Sequence, residues 1–198
     1  MQKGLIVSIQ GYHQKTIEEL AGNAINAGAI AIRTDKPIRV TVPVIGLNKI
    51  RVNSPEKEAY ITPTIELINQ VNAWADFVAV DYRELNSNLR EISEYCKANK
   101  IKVVADIGTY KDYLYIKEKD LYYTFIATTF SVFHNRFNAD LKLLKKLLQT
   151  EKNVIGEGNY HTRQQITEAK KLGAHNICIG TAISDVYKLT RRFTTIGT

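Results

Sequence analysis

Eight short aliphatic runs recur along the whole chain: Leu5–Ile9, Ala29–Arg33, Val42–Leu47, Phe77–Asp81, Ile101–Ile107, Thr124–Thr128, Asn153–Glu157 and Asn176–Gly180. Each is nearly continuous in hydrophobicity instead of alternating. A strand with that pattern is buried on both faces, as in a parallel sheet covered by helices. Helical patterns separate most of the runs. Ile17, Leu20, Ala21, Ala24 and Ile25 make one apolar stripe, Leu89, Ile92 and Cys96 a second, and Val186, Leu189 and Phe193 a third. Strands alternating with helices imply βαβ units, and eight of them favour a closed (β/α)₈ barrel over an open sheet. Thr62 before Pro63, Asn138, and Thr162 with Gln165 are candidate helix caps.

One unit breaks the rhythm. Between Arg33 and Val42 lie eight residues, Thr34 to Thr41, including Pro37. A parallel crossover normally takes a dozen or more residues and a helix. An extended segment of this length still reaches about 26 Å at roughly 3.3 Å per residue. The expectation is therefore a barrel lacking its second outer helix. Apolar strand surface left open there would be covered by a second copy, so a homodimer is expected.

With 198 residues, 44% of them hydrophobic, and no Gly-, Pro- or Ser-rich linker, residues 1–198 read as one domain. The net charge is +7. The densest basic cluster, Lys142, Lys145 and Lys146, sits among Leu141, Leu144 and Leu148, which makes it the solvated face of an amphipathic helix. No basic stripe with interleaved aromatics points to nucleic acid. No apolar run is long enough for a membrane span, and the start of the chain lacks a signal-peptide pattern, so a cytoplasmic location is expected. Cys96 and Cys178 read as two buried or idle thiols. His13, His134, His161 and His175 are dispersed, which argues against a metal site.

In a barrel of this kind the active site lies at the C-terminal ends of the strands. The polar residues there are Gln10, Arg33, Lys49, Asp81, Asp106, Thr128 with Thr129, Glu157, and Gly180 with Thr181. Burial and mutual pairing at one rim would shift their pKa values toward useful ones. Plainer roles stand beside the functional ones. Asp81 and Asp106 can cap the following helices, Arg33 can pair with Asp35 at the surface, and Lys49 lies in a lysine-rich stretch. Glu157 is harder to dismiss, because it closes an apolar strand between Gly156 and Gly158, where a backbone or ligand can approach closely. Gly158, Gly180 and Thr181 belong to the loops after strands seven and eight, the usual phosphate cradle of such barrels.

At these residues the chain resembles the bacterial N-acetylmannosamine-6-phosphate 2-epimerases of sialic acid catabolism. The resemblance runs in order through Leu5-Ile6-Val7-Ser8 with Gln10, Ile32-Arg33, Ile45-Gly46-Leu47 with Lys49, and Tyr60-Ile61-Thr62-Pro63-Thr64. It continues through Ala105-Asp106-Ile107, Thr128-Thr129, Glu157-Gly158, Gly180-Thr181-Ala182-Ile183 and Thr190-Arg191-Arg192-Phe193. The resemblance implies a (β/α)₈ barrel that inverts C2 of an N-acetylhexosamine 6-phosphate without a cofactor. It implies Lys49 and Glu157 as the catalytic pair, and Gln10, Arg33 and Asp106 as substrate contacts. Such chemistry needs a base to take the C2 proton, acidified by the C1 carbonyl, and an acid to return it to the other face.

The chain also departs from the family. The segment from Gln10 to Arg33 is shorter, the helix before strand three is missing, and the loop Ser131 to Asn135 lacks the family's glycine. Asp185 stands where the family usually has an arginine. Three functions stay open on sequence: an active amino-sugar-phosphate 2-epimerase, a catalytically weakened paralogue that binds a sugar phosphate or a protein partner, and another phosphate-binding barrel with different chemistry, since fold does not fix function.

Overall fold

The computed structural model describes residues 1–51, 59–133, 138–186 and 190. In chain order its strands are β1 (Gly4–Ile9), β2 (Ala31–Thr34), β3 (Val44–Gly46), β4 (Lys49–Arg51), β5 (Ala59–Ile61), β6 (Phe77–Asp81), β7 (Val103–Asp106), β8 (Phe125–Ala127), β9 (Val154–Glu157) and β10 (Asn176–Ile179). Its helices are α1 (Gln14–Asn26), α2 (Ile65–Asn72), α3 (Leu89–Ala98), α4 (Tyr110–Glu118), α5 (Leu141–Leu147), α6 (Arg163–Leu172) and the single turn α7 (Thr181–Ser184). Eight parallel strands close into a barrel in the order β1-β10-β9-β8-β7-β6-β3-β2. All eight aliphatic runs of the sequence are barrel strands. β4 and β5 form a separate antiparallel hairpin that the run pattern does not announce.

Strand side chains alternate between two cores. Ile6, Ala31, Ile45, Phe77, Ala79, Val104, Phe125, Ala127, Ile155 and Cys178 point inward and fill the lumen. Their sequence neighbours Val78, Val80, Val103, Ala105, Ile126, Val154 and Ile177 point outward onto Ile92 and Cys96 of α3, Ile116 of α4, Leu144 of α5 and Ala169 of α6. Both faces are therefore apolar, which is why the strands read as unbroken runs. The same parity sends Arg33, Asp106 and Glu157, each two residues beyond an inward Ala31, Val104 or Ile155, into the top layer of the lumen.

No helix joins β2 to β3, as the short segment requires. The exposed apolar face expected there is absent. Ile38 of the connecting segment is buried with Ile17 and Ala21 of α1 and with Ile32 and Val44 of the strands, and Val40, Val42 and Trp74 pack around them. Gln14 Nε2 donates to the Pro37 carbonyl at 2.6 Å and ties the segment to α1. The crossover thus supplies its own cover, which removes the reason for expecting a second copy.

Two helix starts shift. Thr64 caps α2 in place of Thr62, and Asp140 caps α5 in place of Asn138, each accepting a backbone N–H with its side-chain oxygen. The Thr162–Gln165 capping box on α6 is present as expected. Lys142, Lys145 and Lys146 are exposed on α5 while Leu143, Leu144 and Leu147 are buried. The stripe from Val186 to Phe193 lies largely outside the described residues. None of the described helices is long and apolar enough to cross a membrane.

Candidate active site

A cavity of about 480 Å³ opens at the C-terminal end of the barrel. Its wall includes Gln10, Arg33, Lys49, Glu157, Gly158, Gly180 and Thr181 from the residues expected on sequence. It also includes Tyr12, Asp35, Thr129, His161, Cys178 and Asp185.

Arg33 is the centre of the charge arrangement. It is 1% exposed, on β2, and the barrel order places β7 three strands away on one side and β9 three strands away on the other. Its side chain reaches both. The guanidinium grips Asp106 of β7 in a two-pronged contact, Nη1 to Oδ1 at 3.2 Å and Nη2 to Oδ2 at 2.5 Å. Its Nη1 also lies 3.3 Å from Glu157 Oε2 of β9. Burial acts to lower the Arg33 pKa, but the Asp106 and Glu157 charges outweigh it, so the guanidinium stays charged. Small lumen side chains, Ala31, Ala79 and Ala127, leave room for it.

Glu157 sits in the opposite balance. Burial raises its pKa above the ordinary carboxylate value, Arg33 pulls it down, and Asp106 pushes it up again. The net direction is upward, which suits a group that must hold and give back a proton. Thr129 gives its one hydroxyl proton to Asp106 at 2.6 Å. The thiol of Cys178, the β10 partner of Glu157 in register, lines the cavity beside it. Burial, and then the Glu157 charge, holds that thiol protonated, well above the usual thiol range. Both cysteines are free and buried, as the sequence reading expected. Within the cavity wall, Arg33 Nε and Glu157 Oε2 have no hydrogen-bond partner.

The remaining expected residues fall into place individually. Lys49 begins β4 instead of ending a barrel strand, and its side chain is exposed at the cavity. Gln10 donates from Nε2 to Ser8 Oγ at 2.7 Å. Asp106 is buried behind Arg33 and caps no helix. Asp35 accepts from the Gly11 N–H at 3.0 Å, so the pairing with Arg33 envisaged on sequence is replaced by Arg33–Asp106. Thr128, expected as a substrate contact, stands outside the cavity wall. Its hydroxyl is spent on the backbone of Glu157, accepting from its N–H at 2.9 Å and donating to its carbonyl at 2.8 Å, and the cavity wall is formed by its neighbour Thr129. Gly156 makes room for the Tyr160 ring, since a Cβ there would lie 2.6 Å from the Tyr160 hydroxyl oxygen. Gly158 lines the cavity with φ +92°, a conformation that favours glycine.

Asp81 serves another purpose. Its carboxylate accepts from Arg83 Nε at 3.0 Å and Arg83 Nη2 at 2.8 Å, outside the cavity wall. Tyr12, Asp35 and Cys178 carry no sequence motif. Their only signal is position: Tyr12 lies three residues past the end of β1, Asp35 one past the end of β2, and Cys178 has inward parity. Among the described residues no group of three or more His, Cys, Asp or Glu side chains is placed to hold a metal ion.

Comparison with known proteins bears directly on this cavity. The family model described as "Putative N-acetylmannosamine-6-phosphate epimerase" matches residues 17–197. A relative from Caldanaerobacter subterraneus subsp. tengcongensis, named "Putative N-acetylmannosamine-6-phosphate 2-epimerase", is 32% identical over 98% of this chain and 91% of its own. One of the same name from Cutibacterium acnes is 32% identical over 98% of this chain and 93% of its own. The solved N-acetylmannosamine-6-phosphate 2-epimerase from Clostridium perfringens superposes with a TM-score of 0.81 at 27% identity, covering 97% of this chain and 92% of that one. The family match spans nearly the whole barrel, and the chain belongs to the N-acetylmannosamine-6-phosphate epimerase family.

Proposed function

We propose that this cavity inverts C2 of an N-acetylhexosamine 6-phosphate, interconverting N-acetylmannosamine 6-phosphate and N-acetylglucosamine 6-phosphate. The observation that carries the reading is the buried Arg33–Asp106–Glu157 group sharing one cavity with Lys49. In the open-chain sugar the C1 carbonyl acidifies the C2 proton. A bound sugar would strip water from Lys49 and favour the neutral amine, which takes that proton. Negative charge moves onto the C1 oxygen, where Arg33, with Nε unpaired, and Gln10 are the available donors. Glu157, its pKa raised chiefly by burial, returns a proton to the opposite face of C2. A proton passing from Lys49 back to Glu157 resets the site, so the cycle consumes no cofactor.

Gly158, Gly180 and Thr181 line the stretch of the cavity assigned to the phosphate. A phosphorylated sugar is too polar to cross a membrane, which puts the reaction in the cytoplasm, in the breakdown of sialic acids and other amino sugars. The test is incubation with N-acetylmannosamine 6-phosphate in deuterated water. Loss of the C2 proton signal is expected, and its full retention would overturn the reading. The second reading, a weakened paralogue, is favoured by Asp185 in the cavity wall beside the phosphate end. It predicts sugar-phosphate binding without C2 exchange.

A further inference from the structure

Lys49 differs from the other polar groups of the cavity in what holds it. Arg33 and Glu157 stand on barrel strands, whereas Lys49 starts the β4–β5 hairpin outside the barrel sheet. Something must fix that hairpin against the barrel if the amine is to meet C2 reproducibly, since a misplacement of about 1 Å can cost 10²-fold in rate.

The fixing point is Thr62. Its N–H donates to the Asn48 carbonyl at 2.7 Å, and its hydroxyl oxygen accepts from the Asn48 N–H at 3.0 Å. One residue thus occupies both backbone groups of the residue immediately before Lys49. Thr62 is fully buried and has φ +44°. A β-branched residue in that region is strained, and such a conformation persists only where the surroundings enforce it. Glycine would remove the strain but has no hydroxyl to hold Asn48. On either side, Leu47 N–H donates to the Thr34 carbonyl at 3.1 Å, and Ile61, paired with Lys49 in register, is buried in the lumen core. The base of the hairpin is therefore pinned to the barrel on both arms, with Thr62 as the clasp between them.

We propose that Thr62 is a positioning residue that holds Lys49 over the substrate carbon by clasping both backbone groups of Asn48. The proposal rests on the epimerase reading, with Lys49 as base. Thr62→Val keeps the shape and removes the acceptor. It should lower kcat about 10- to 100-fold with KM within about threefold, while Thr62→Ser restores kcat to within about threefold of the parent. Amide hydrogen exchange at Asn48 supplies a readout independent of activity: protection falls in Thr62→Val and returns in Thr62→Ser. Thr62→Gly, which relieves the strain yet lacks the hydroxyl, should fold and behave like Thr62→Val. If Thr62→Val keeps the parent kcat, or if kcat and KM are unchanged while Asn48 protection is lost, the proposal fails. A parent protein with no C2 exchange but normal Asn48 protection would instead sink the epimerase reading and leave the clasp standing.

Discussion

Two arginines meet buried carboxylates at the top of this barrel, and they finish differently. Arg83 binds Asp81 through Nε and Nη2, donates from Nη2 to the Ala59 carbonyl at 3.2 Å, and lies 3.9 Å above the Phe130 ring. The pair sits outside the cavity wall. Arg33 binds Asp106 equally closely, yet its Nε has no hydrogen-bond partner, and the adjacent Glu157 Oε2 has only the Arg33 ion pair at 3.3 Å. The first pair spends its hydrogen bonds on the protein. The second leaves hydrogen-bonding capacity unused beside the cavity, as the proposed sugar site requires. A buried polar atom without a partner costs free energy, so its persistence at one site and absence at the other separates a functional arrangement from a structural one.

That contrast breaks most severely if the acid and base are wrongly assigned. Glu157→Gln and Lys49→Ala should each reduce C2 exchange by about 10³-fold, within the range of positioned acid–base groups, with far-UV circular dichroism unchanged. A folded variant with parental exchange would remove that residue from the chemistry. Arg33→Met comes next. It strands two buried carboxylates, which should cost about 3–5 kcal/mol in denaturant-unfolding stability and most of the exchange activity.

Arg83→Met sharpens the comparison from the other side. It strands only Asp81, so stability should fall by a similar amount while kcat in the folded protein stays within about fivefold. Loss of exchange there would erase the distinction between the two pairs. Asp185→Arg should tighten binding of the phosphorylated sugar about tenfold, since a charged hydrogen bond is worth about 1.5–3 kcal/mol. Isothermal titration at low salt shows the effect best, and unchanged affinity would mean that Asp185 does not face the phosphate.

The smallest expected effect concerns stability and pH. Glu157 has a raised pKa in the folded protein, chiefly through burial. Between its unfolded and folded values the native state holds a proton that the unfolded chain has lost, so stability falls as pH rises through that window. Glu157→Gln should therefore melt higher at pH 7, and the gain should vanish below about pH 4, the unfolded glutamate value. A gain of about 1 kcal/mol would read as roughly 2–4 °C. A lower melting temperature at pH 7 would mean that the Arg33 contact outweighs the cost of burying the carboxylate.

Strand count, strand position and the missing second helix were all legible in the sequence, because parallel strands buried on both faces leave unbroken apolar runs. Gln10, Arg33 and Glu157 were legible for a related reason: they end those runs or follow them directly, and in a barrel strand ends converge. The β4–β5 hairpin was not. Its strands are three residues each and carry no two-residue Gly turn, so neither length nor turn chemistry marks them. Thr128 and Thr129 both stood at the strand end in the sequence, and parity could not say which lines the cavity once the strand had ended at Ala127; Thr129 does.

By itself the sequence determined the barrel, its single break in rhythm and part of the polar rim, including Gln10, Arg33 and Glu157, because hydrophobic periodicity is a local property that the order of residues records. Which carboxylate pairs with Arg33 was decided only by the tertiary structure. Asp35, two residues away, was the nearer candidate along the chain, but the closed barrel puts Asp106 and Glu157 three strands away on either side and within reach of one guanidinium. The β9–β10 register also placed Cys178 beside Glu157, and packing against α1 folded Ile38 over the strands it connects. Pairing across a lumen depends on strand order and register, which are set by contacts far apart in the chain and leave no mark on the residues nearby.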